Sequence, residues 1–200
     1  MKRLIHSSAV PLLLALLILL PVYLSTLQTI PNGAEHYYTI DVGETQIVLN
    51  TWGTLHATGY PLYVMIGNIL VAVLRVLGVS AAAAPGVTSL LYGLVALSLI
   101  YVLAAHITNR RWLAALIVIL FGLTRTVWIH QAIAEIYSFG LLLLALLLLI
   151  ALWLARQPIG GRAGLFLFLG GLVAALSAAI LRMHLWFAVR SYPAEWPNQR

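Results

Sequence analysis

Long apolar runs separated by short polar connectors dominate the chain, and they predict helices that cross a membrane. A crossing helix needs about 20 mostly apolar residues. Six runs approach that length: Val10–Leu27, Pro61–Val79, Val87–Ile107, Trp112–Val127, Ile136–Ala155 and Ala163–Leu181. The run from Trp112 does so only by including Arg125. Because no run alternates apolar and polar residues, the pattern indicates an all-α fold, a polytopic membrane helix bundle with about six hydrophobic helices.

The first run has two interpretations, because it follows the basic residues of Met1–Arg3. A basic head before an apolar run is also typical of a secretory signal peptide. No clean small-x-small cleavage motif follows this run, whereas further apolar runs do. We therefore favour a retained first helix, and removal of the segment stays open as the alternative.

The segment Pro31–Gly59 breaks the apolar pattern. It carries Glu35, Asp41 and Glu44, three of the five acidic residues of the chain, and it has no Lys or Arg. Its Tyr and Trp residues favour an ordered loop at the membrane interface. Apolar residues recur near helical spacing from Gly43 to Trp52, which predicts a short juxtamembrane helix within this first outer loop.

Composition supports the membrane interpretation and narrows the chemistry. Hydrophobic residues make up 62% of the chain and charged residues 8%, whereas a soluble domain has about 25% charged residues. A soluble enzyme and a disordered tail are therefore excluded. The chain has no Cys, which excludes disulfides, thiolate nucleophiles and cysteine-bound metals. The net charge is +6, but the basic residues are scattered, which suits membrane orientation and not a nucleic-acid partner.

The distribution of charge predicts an orientation in the bilayer. Three connectors are basic: Met1–Arg3, Asn109–Arg111 and Gln157–Arg162. Basic connectors favour the cytoplasm, yet six full crossings would place the second of them outside. If Pro61–Val79 enters the bilayer without crossing, all three lie inside. The acidic connectors Pro31–Gly59 and Thr124–Glu135 then face the outside together, which is the arrangement we favour.

Two carboxylates in the first outer loop are the strongest candidates for chemistry. Asp41 and Glu44 lie three residues apart, and a carboxylate near apolar surroundings can act as a general base. The same spacing also fits a helix N-cap with a reaching Glu. His36 and His56 could complete a metal site with either acid, so a divalent cation stays open as a cofactor.

The connector before the run Ile136–Ala155 supplies a second acid. Glu135 directly precedes that run, and two explanations for it are open. The helix dipole would stabilise its negative charge. Alternatively, it belongs to a functional site, because ionisable groups at the ends of membrane helices are often functional. Arg125 could grip a phosphate with its guanidinium group or lie at the lipid interface. Arg182, with His184 nearby, has the same two interpretations.

The spacing of these residues resembles a known family. Three stretches carry the resemblance: Asp41–Glu44, His56–Tyr63 and Trp128–Tyr137. Together they are similar to the protein O-mannosyltransferase-like branch of the membrane-embedded GT-C glycosyltransferases. Members often have two prolines after the histidine, where this chain has Ala57 and Thr58.

The resemblance implies an enzyme that transfers a sugar, expected to be mannose, from a polyprenyl-phosphate carrier to a hydroxyl of a protein or glycan acceptor. It implies one inverting displacement at the extracytoplasmic face of a multi-pass protein in the lipid bilayer, the plasma membrane in a prokaryote. Asp41 would be the base or acceptor-orienting group, with Glu44 beside it and Glu135 as the second acid. The expected substrate-binding residues are His56, Tyr60, Arg125, His130 and Arg182.

Length separates this chain from that family, whose members are much longer. We expect a transmembrane module over residues 1–185, with the outer loop 31–59, and a polar tail over 186–200 where the reading frame is truncated. Two other functions stay open. A non-catalytic subunit or remnant would use Asp41 only as a cap, and a small transporter would line a polar path with ionisable side chains.

Overall fold

The computed structural model describes residues 2–33, 40–56, 59–155, 164 and 167–172. Within these residues all regular structure is helical and no strand occurs, which confirms the all-α membrane bundle. The helices are α1 (Lys2–Thr26), α2 (Val42–Thr51), α3 (Pro61–Val76), α4 (Ala84–Thr108), α5 (Arg111–Gly122), α6 (Arg125–Ala132) and α7 (Tyr137–Leu154). A further short helical stretch covers 167–172.

Three of the described helices are long and apolar enough to cross a membrane: α1 over Ala9–Thr26, α4 and α7. Helix α3 has 16 residues, which is short of the about 20 that a full crossing needs. Five of the six predicted apolar runs are helical in the described residues, as α1, α3, α4, α5 and α7. The short α3 agrees with the favoured arrangement, in which Pro61–Val79 enters the bilayer without crossing it. The predicted run Ala163–Leu181 lies largely outside the described residues.

The prediction of one helix over Trp112–Val127 was wrong. The chain bends by 72° between α5 and α6, so the two helices form at most one broken span. The break lies at Leu123 and Thr124, where the Thr124 hydroxyl donates a hydrogen bond to the Phe121 carbonyl at 2.7 Å. Such side-chain hydrogen bonds compete with the backbone hydrogen bonds of a helix. The sequence of α6 that follows is also more polar than that of α5, so less of its surface favours contact with lipid.

Helix α4 is the centre of the bundle and contacts each of the other six helices. Against α1 and α5 it builds one apolar cluster, in which Ala15, Leu19, Leu97 and Val118 are fully buried. Burial of such side chains contributes about 25 cal/mol per Å² of apolar surface. This packing joins α4 and α5, which lie in the predicted runs Val87–Ile107 and Trp112–Val127, to α1 in the first predicted run.

Glycine lets α1 approach α5 closely. The Tyr23 hydroxyl donates a hydrogen bond to the Gly122 carbonyl at 2.8 Å. A Cβ atom at Gly122 would lie 2.7 Å from that hydroxyl oxygen, which is closer than atoms can pack. The contact holds the end of α5 and therefore the position of the corner that leads into α6.

A second cluster joins α2, α3, α4 and α7 around three aromatic rings. The centroids of Tyr63, Tyr92 and Phe139 lie 5.0 to 6.2 Å apart with tilted planes, which is the favourable range for aromatic pairs. This cluster seats α2 on the membrane helices. Helix α2 also confirms the predicted helix over Gly43–Trp52, since the two ranges differ by one residue at each end.

Buried Gln46 fixes α2 to the loops beside it. Its side-chain oxygen accepts a hydrogen bond from the Asn32 amide at 2.9 Å, and its amide group donates to the carbonyls of Ile30 and Ala82 at 3.1 and 2.8 Å. Every polar atom of this buried side chain therefore has a partner, as burial requires. The segment that carries the two loop acids is thus held in one place.

Candidate active site

The acids at the start of α2 do not form the alternative capping box. Asp41 occupies the N-cap position, but its side chain makes no capping hydrogen bond. Glu44 does not reach back to Asp41 either. Its Oε1 accepts the His56 backbone N–H at 2.7 Å, and its Oε2 lies 2.7 Å from His56 Nδ1. Glu44 thus orients the histidine and leaves the Asp41 carboxylate at the exposed edge.

A second carboxylate–imidazole pair lies between α6 and α7. Glu135 Oε2 is 2.8 Å from His130 Nδ1, and the two side chains are 7% and 15% exposed. The two atoms lie at hydrogen-bonding distance, and the contact becomes an ion pair when the imidazole is protonated. Glu135 precedes α7 and does not lie in its first turn, so the helix-dipole explanation for this acid was wrong.

Two serines fix the loop that carries this pair. The Ser89 hydroxyl of α4 donates to the Glu135 carbonyl at 3.2 Å and accepts the Glu135 N–H at 3.3 Å. The Ser138 hydroxyl donates to the His130 carbonyl at 2.7 Å. Backbone bonds of this kind hold a buried side chain in a single position.

Burial also changes the acidity of Glu135. Removal from water raises the pKa of this carboxyl group, because burial disfavours its charged form. The contact with His130 opposes the increase, and the negative charge of Asp41 adds to it. Glu135 therefore keeps its proton to a higher pH than an exposed glutamate.

The two acidic segments meet in one cleft. Its described lining residues are Asp41, Thr45, Leu55, His56, Tyr60, Glu135, Ile136 and Tyr137. The cleft holds about 320 Å³ of empty space, part of it open to solvent. Asp41 and Glu135, which are far apart in the sequence, thus line the same cleft. Glu44 contacts His56 and fixes the position of its ring.

Tyr60 closes the cleft at the start of α3. Its backbone is left-handed, with φ of 43°, and it follows Gly59 at φ of 80°. Pro61 then takes the first position of the helix, where its missing N–H is harmless. The pKa of the Tyr60 hydroxyl is raised by burial first and by the charges of Asp41 and Glu44 second. Its ring meets the ring of His56 edge-on at 6.1 Å.

Three side chains at the rim could hold a cation. One ligand atom from each of Asp41, Glu44 and His56 lies within 4.8 Å of the others. The second histidine of the predicted metal site, His36, lies outside the described residues. Imidazole nitrogen and carboxylate oxygen are ordinary ligands of divalent transition ions.

Of the two predicted phosphate-binding arginines, the described one, Arg125, is not part of this cleft. Arg125 begins α6 and is exposed, and it is not among the residues that line the cleft. Arg182 lies outside the described residues. An apolar groove of about 400 Å³ adjoins the cleft and shares Tyr137 with it. The other described residues of the groove are Thr126, Val127, His130, Gln131, Ser138 and Leu141.

Sequence reasoning missed several residues that shape the site. Thr45 and Leu55 line the cleft. Thr45 lies about one helical turn after Asp41, and Leu55 directly precedes His56. Both positions were only weak signals in the sequence. Ser89 had no signal at all, because nothing in an apolar run shows which hydroxyl will face a distant loop. The His130–Tyr137 ring contact, with centroids 4.0 Å apart, depends on the turn between α6 and α7.

Comparison with known proteins places these residues in a family. Residues 41–191 match the family described as the protein O-mannosyl-transferase TMEM260 N-terminal domain. The protein O-mannosyl-transferase tmem260 of Dictyostelium discoideum is 27% identical over 119 residues, which are 60% of this chain and 14% of that protein. No solved structure matches the chain. The match confirms the resemblance noted in the sequence and, with the apolar helices, indicates a membrane protein. The chain belongs to the family of the TMEM260 protein O-mannosyl-transferase N-terminal domain.

Proposed function

We propose that this chain forms the N-terminal part of a glycosyltransferase that moves a sugar, mannose, from a polyprenyl-phosphate carrier to an acceptor hydroxyl at the extracytoplasmic face of the membrane. One observation carries the proposal: Asp41 and Glu135 come from separate loops and line the same cleft. The relatives support the reaction class, since both matches are named as protein O-mannosyl-transferases. The chain spans 14% of the curated relative.

Asp41 is the general base in this proposal. Its carboxylate lies at the exposed edge of the cleft. It makes no capping hydrogen bond with α2, so no such bond has to break before the carboxylate accepts a proton. A base must lie within hydrogen-bond reach of the acceptor hydroxyl. An acceptor that enters from the water side would meet Asp41 first, with His56 and Tyr60 beside it to orient it.

Glu135 orients the sugar on the inner side of the cleft. Because burial raises its pKa, the carboxyl group can donate as well as accept a hydrogen bond to sugar hydroxyls. The acceptor oxygen forms a bond to C1 while the bond from C1 to the phosphate oxygen breaks. The proton passes to Asp41, and the polyprenyl phosphate leaves. The configuration at C1 is inverted because the two bonds lie on opposite sides.

The apolar groove beside the cleft suits the lipid part of the donor. It is lined mainly by apolar surface from α6 and α7 and joins the cleft at Tyr137. Isoprenoid units in such a groove would bring the phosphate to the cleft from within the bilayer. The arginine that would stabilise the phosphate, Arg125 or Arg182, stays a prediction from the sequence.

Substitution of Asp41 by Asn tests the base role. The chain is reconstituted in vesicles with radiolabelled polyprenyl-phosphate mannose, and both donor binding and transfer to a peptide or glycan acceptor are measured. We expect transfer to fall by about 100-fold or more, the usual contribution of a general base. Donor binding should be unchanged, since Asn keeps the size of the side chain.

Glu195→Gln is the matched control, because it removes one carboxylate outside the residues that match the family. Full transfer by the Asp41→Asn variant would contradict the base role. A wild-type chain that fails to bind the lipid-linked donor would contradict the glycosyltransferase proposal and favour a non-catalytic subunit.

A further inference from the structure

We infer that the rim of the cleft binds a divalent transition-metal cation through Asp41, Glu44 and His56. The three ligand atoms lie within 4.8 Å of one another. Ligands that share an ion at about 2.0–2.2 Å lie roughly 3 to 4 Å apart. The rim therefore needs only small side-chain adjustments to bind an ion. Nothing in this inference requires that the chain transfer a sugar.

The fold brings these ligands together from two directions. Asp41 and Glu44 lie at the start of α2, which Gln46 fixes to its neighbouring loops. His56 comes from the loop after α2, and its backbone N–H is bound to Glu44 Oε1 at 2.7 Å. The Glu44–His56 side-chain contact of 2.7 Å would open slightly as an ion entered between the two groups. A ligand set held by backbone bonds in this way is close to its binding geometry before the ion arrives.

A second and independent observation is the unbalanced charge of the cleft. Glu135 is 7% exposed and lines the same cleft, and its Oε2 atom is 2.8 Å from His130 Nδ1. No Lys or Arg is among the described lining residues. Its single described counter-group is His130, which carries a charge only when protonated. Asp41, and Glu135 when it is ionised, therefore place negative charge in a cleft whose described lining has no Lys or Arg, and a bound cation would balance that charge.

The ligand chemistry points to the class of ion. Two carboxylates and one imidazole suit Mn²⁺, Zn²⁺ or Fe²⁺, because imidazole is a ligand of transition ions and carboxylate suits Mn²⁺ as well. Ca²⁺ takes six to eight oxygen ligands, which this rim does not offer. Monodentate binding to Asp41 would leave its second oxygen free for the acceptor hydroxyl.

Mn²⁺ is the probe that tests this inference. The full chain in detergent is freed of metal with a chelator and titrated with MnCl₂, and free Mn²⁺ is followed by electron paramagnetic resonance. We expect one bound ion per chain. Pulsed spectra of the bound ion should show coupling to the nitrogen of one imidazole. A bound ion without nitrogen coupling, or no bound ion, would overturn the proposal without any variant.

Variants then assign the ligands. His56→Gln should remove the nitrogen coupling, and Glu44→Gln should weaken Mn²⁺ binding by at least about tenfold, since even outer contacts of a metal site contribute that much. His106→Gln, at the exposed end of α4, is the matched control and should change neither quantity. Unchanged affinity in both rim variants would contradict the assignment. Mn²⁺ binding is measured without donor or acceptor, so a failure of sugar transfer leaves this result intact.

Discussion

Two carboxylate–imidazole pairs of nearly equal length each contribute one side chain to the lining of the cleft, His56 from one pair and Glu135 from the other. Glu44 and His56 are 2.7 Å apart with both side chains 35% exposed, whereas Glu135 and His130 are 2.8 Å apart with 7% and 15% exposed. The chemistry is the same and the surroundings differ. Water screens the first pair, which stays adaptable to an acceptor or an ion. The second pair exchanged hydration for protein contacts, so its disruption affects the fold.

The largest difference between the pairs should appear when the imidazole is removed from the buried one. His130→Ala leaves the Glu135 carboxylate buried without its counter-group, and we expect a loss of about 3 kcal/mol in the free energy of unfolding. Chemical unfolding of the detergent-solubilised chain measures this loss. His56→Ala is the matched variant at the exposed pair. Equal losses for both variants would mean that burial does not separate the pairs.

The pH dependence of stability should come next in size. Because the folded-state pKa of Glu135 is raised above its ordinary value of 4.5, the folded state binds the extra proton between the two values. Stability is therefore highest below pH 4.5 for this group and falls as pH rises through the raised pKa. His130 opposes the shift and Asp41 enlarges it.

Glu135→Gln isolates this effect. The unfolding midpoint of the wild type minus that of the variant should fall with rising pH, since the other titrating groups are common to both chains. Thermal unfolding in detergent at a series of pH values gives the difference. If the difference did not change with pH, the pKa of Glu135 would not be shifted by folding. If the difference rose with pH, the contact with His130 would lower that pKa by more than burial raises it.

The smallest effect should come from the exposed carboxylate. Glu44→Gln should change the free energy of unfolding by less than about 1 kcal/mol, because solvent-exposed pairs contribute little. Whatever change occurs should shrink further in high salt, which screens exposed charges. Chemical unfolding at low and high salt checks both points. A loss as large as that of His130→Ala would reverse the comparison.

Much of the fold could be predicted because its determinants are local. Long apolar runs define α1, α4 and α7, and a dense group of acids and aromatic residues defined the loop that holds Asp41. The helix at Val42–Thr51 followed from spacing alone. The corner after α5 could not be predicted from hydropathy. The mean hydropathy of Trp112–Val127 does not show that the Thr124 hydroxyl donates a hydrogen bond to the Phe121 carbonyl at the break.

The pairing of the site residues could not be predicted either. His130 and Glu135 are five residues apart, which is not a helical-neighbour spacing. They meet because α6 ends at Ala132 and Ile133 takes an extended backbone, with φ of −121° and ψ of 160°. The Glu44–His56 pair likewise depends on the turn that follows α2, where Trp52 is left-handed. Candidate residues could be named, but their partners are set by turns between elements.

The 72° corner between α5 and α6 makes the chemistry of the cleft depend on counting. Each residue of an α-helix advances its side chain by about 100° around the axis. One residue inserted within α6, between the corner and His130, would therefore turn the imidazole of His130 by about 100° relative to the start of that helix, although no residue of the cleft had changed. Because the corner fixes where α6 begins, it also fixes which face of the helix presents His130 to Glu135.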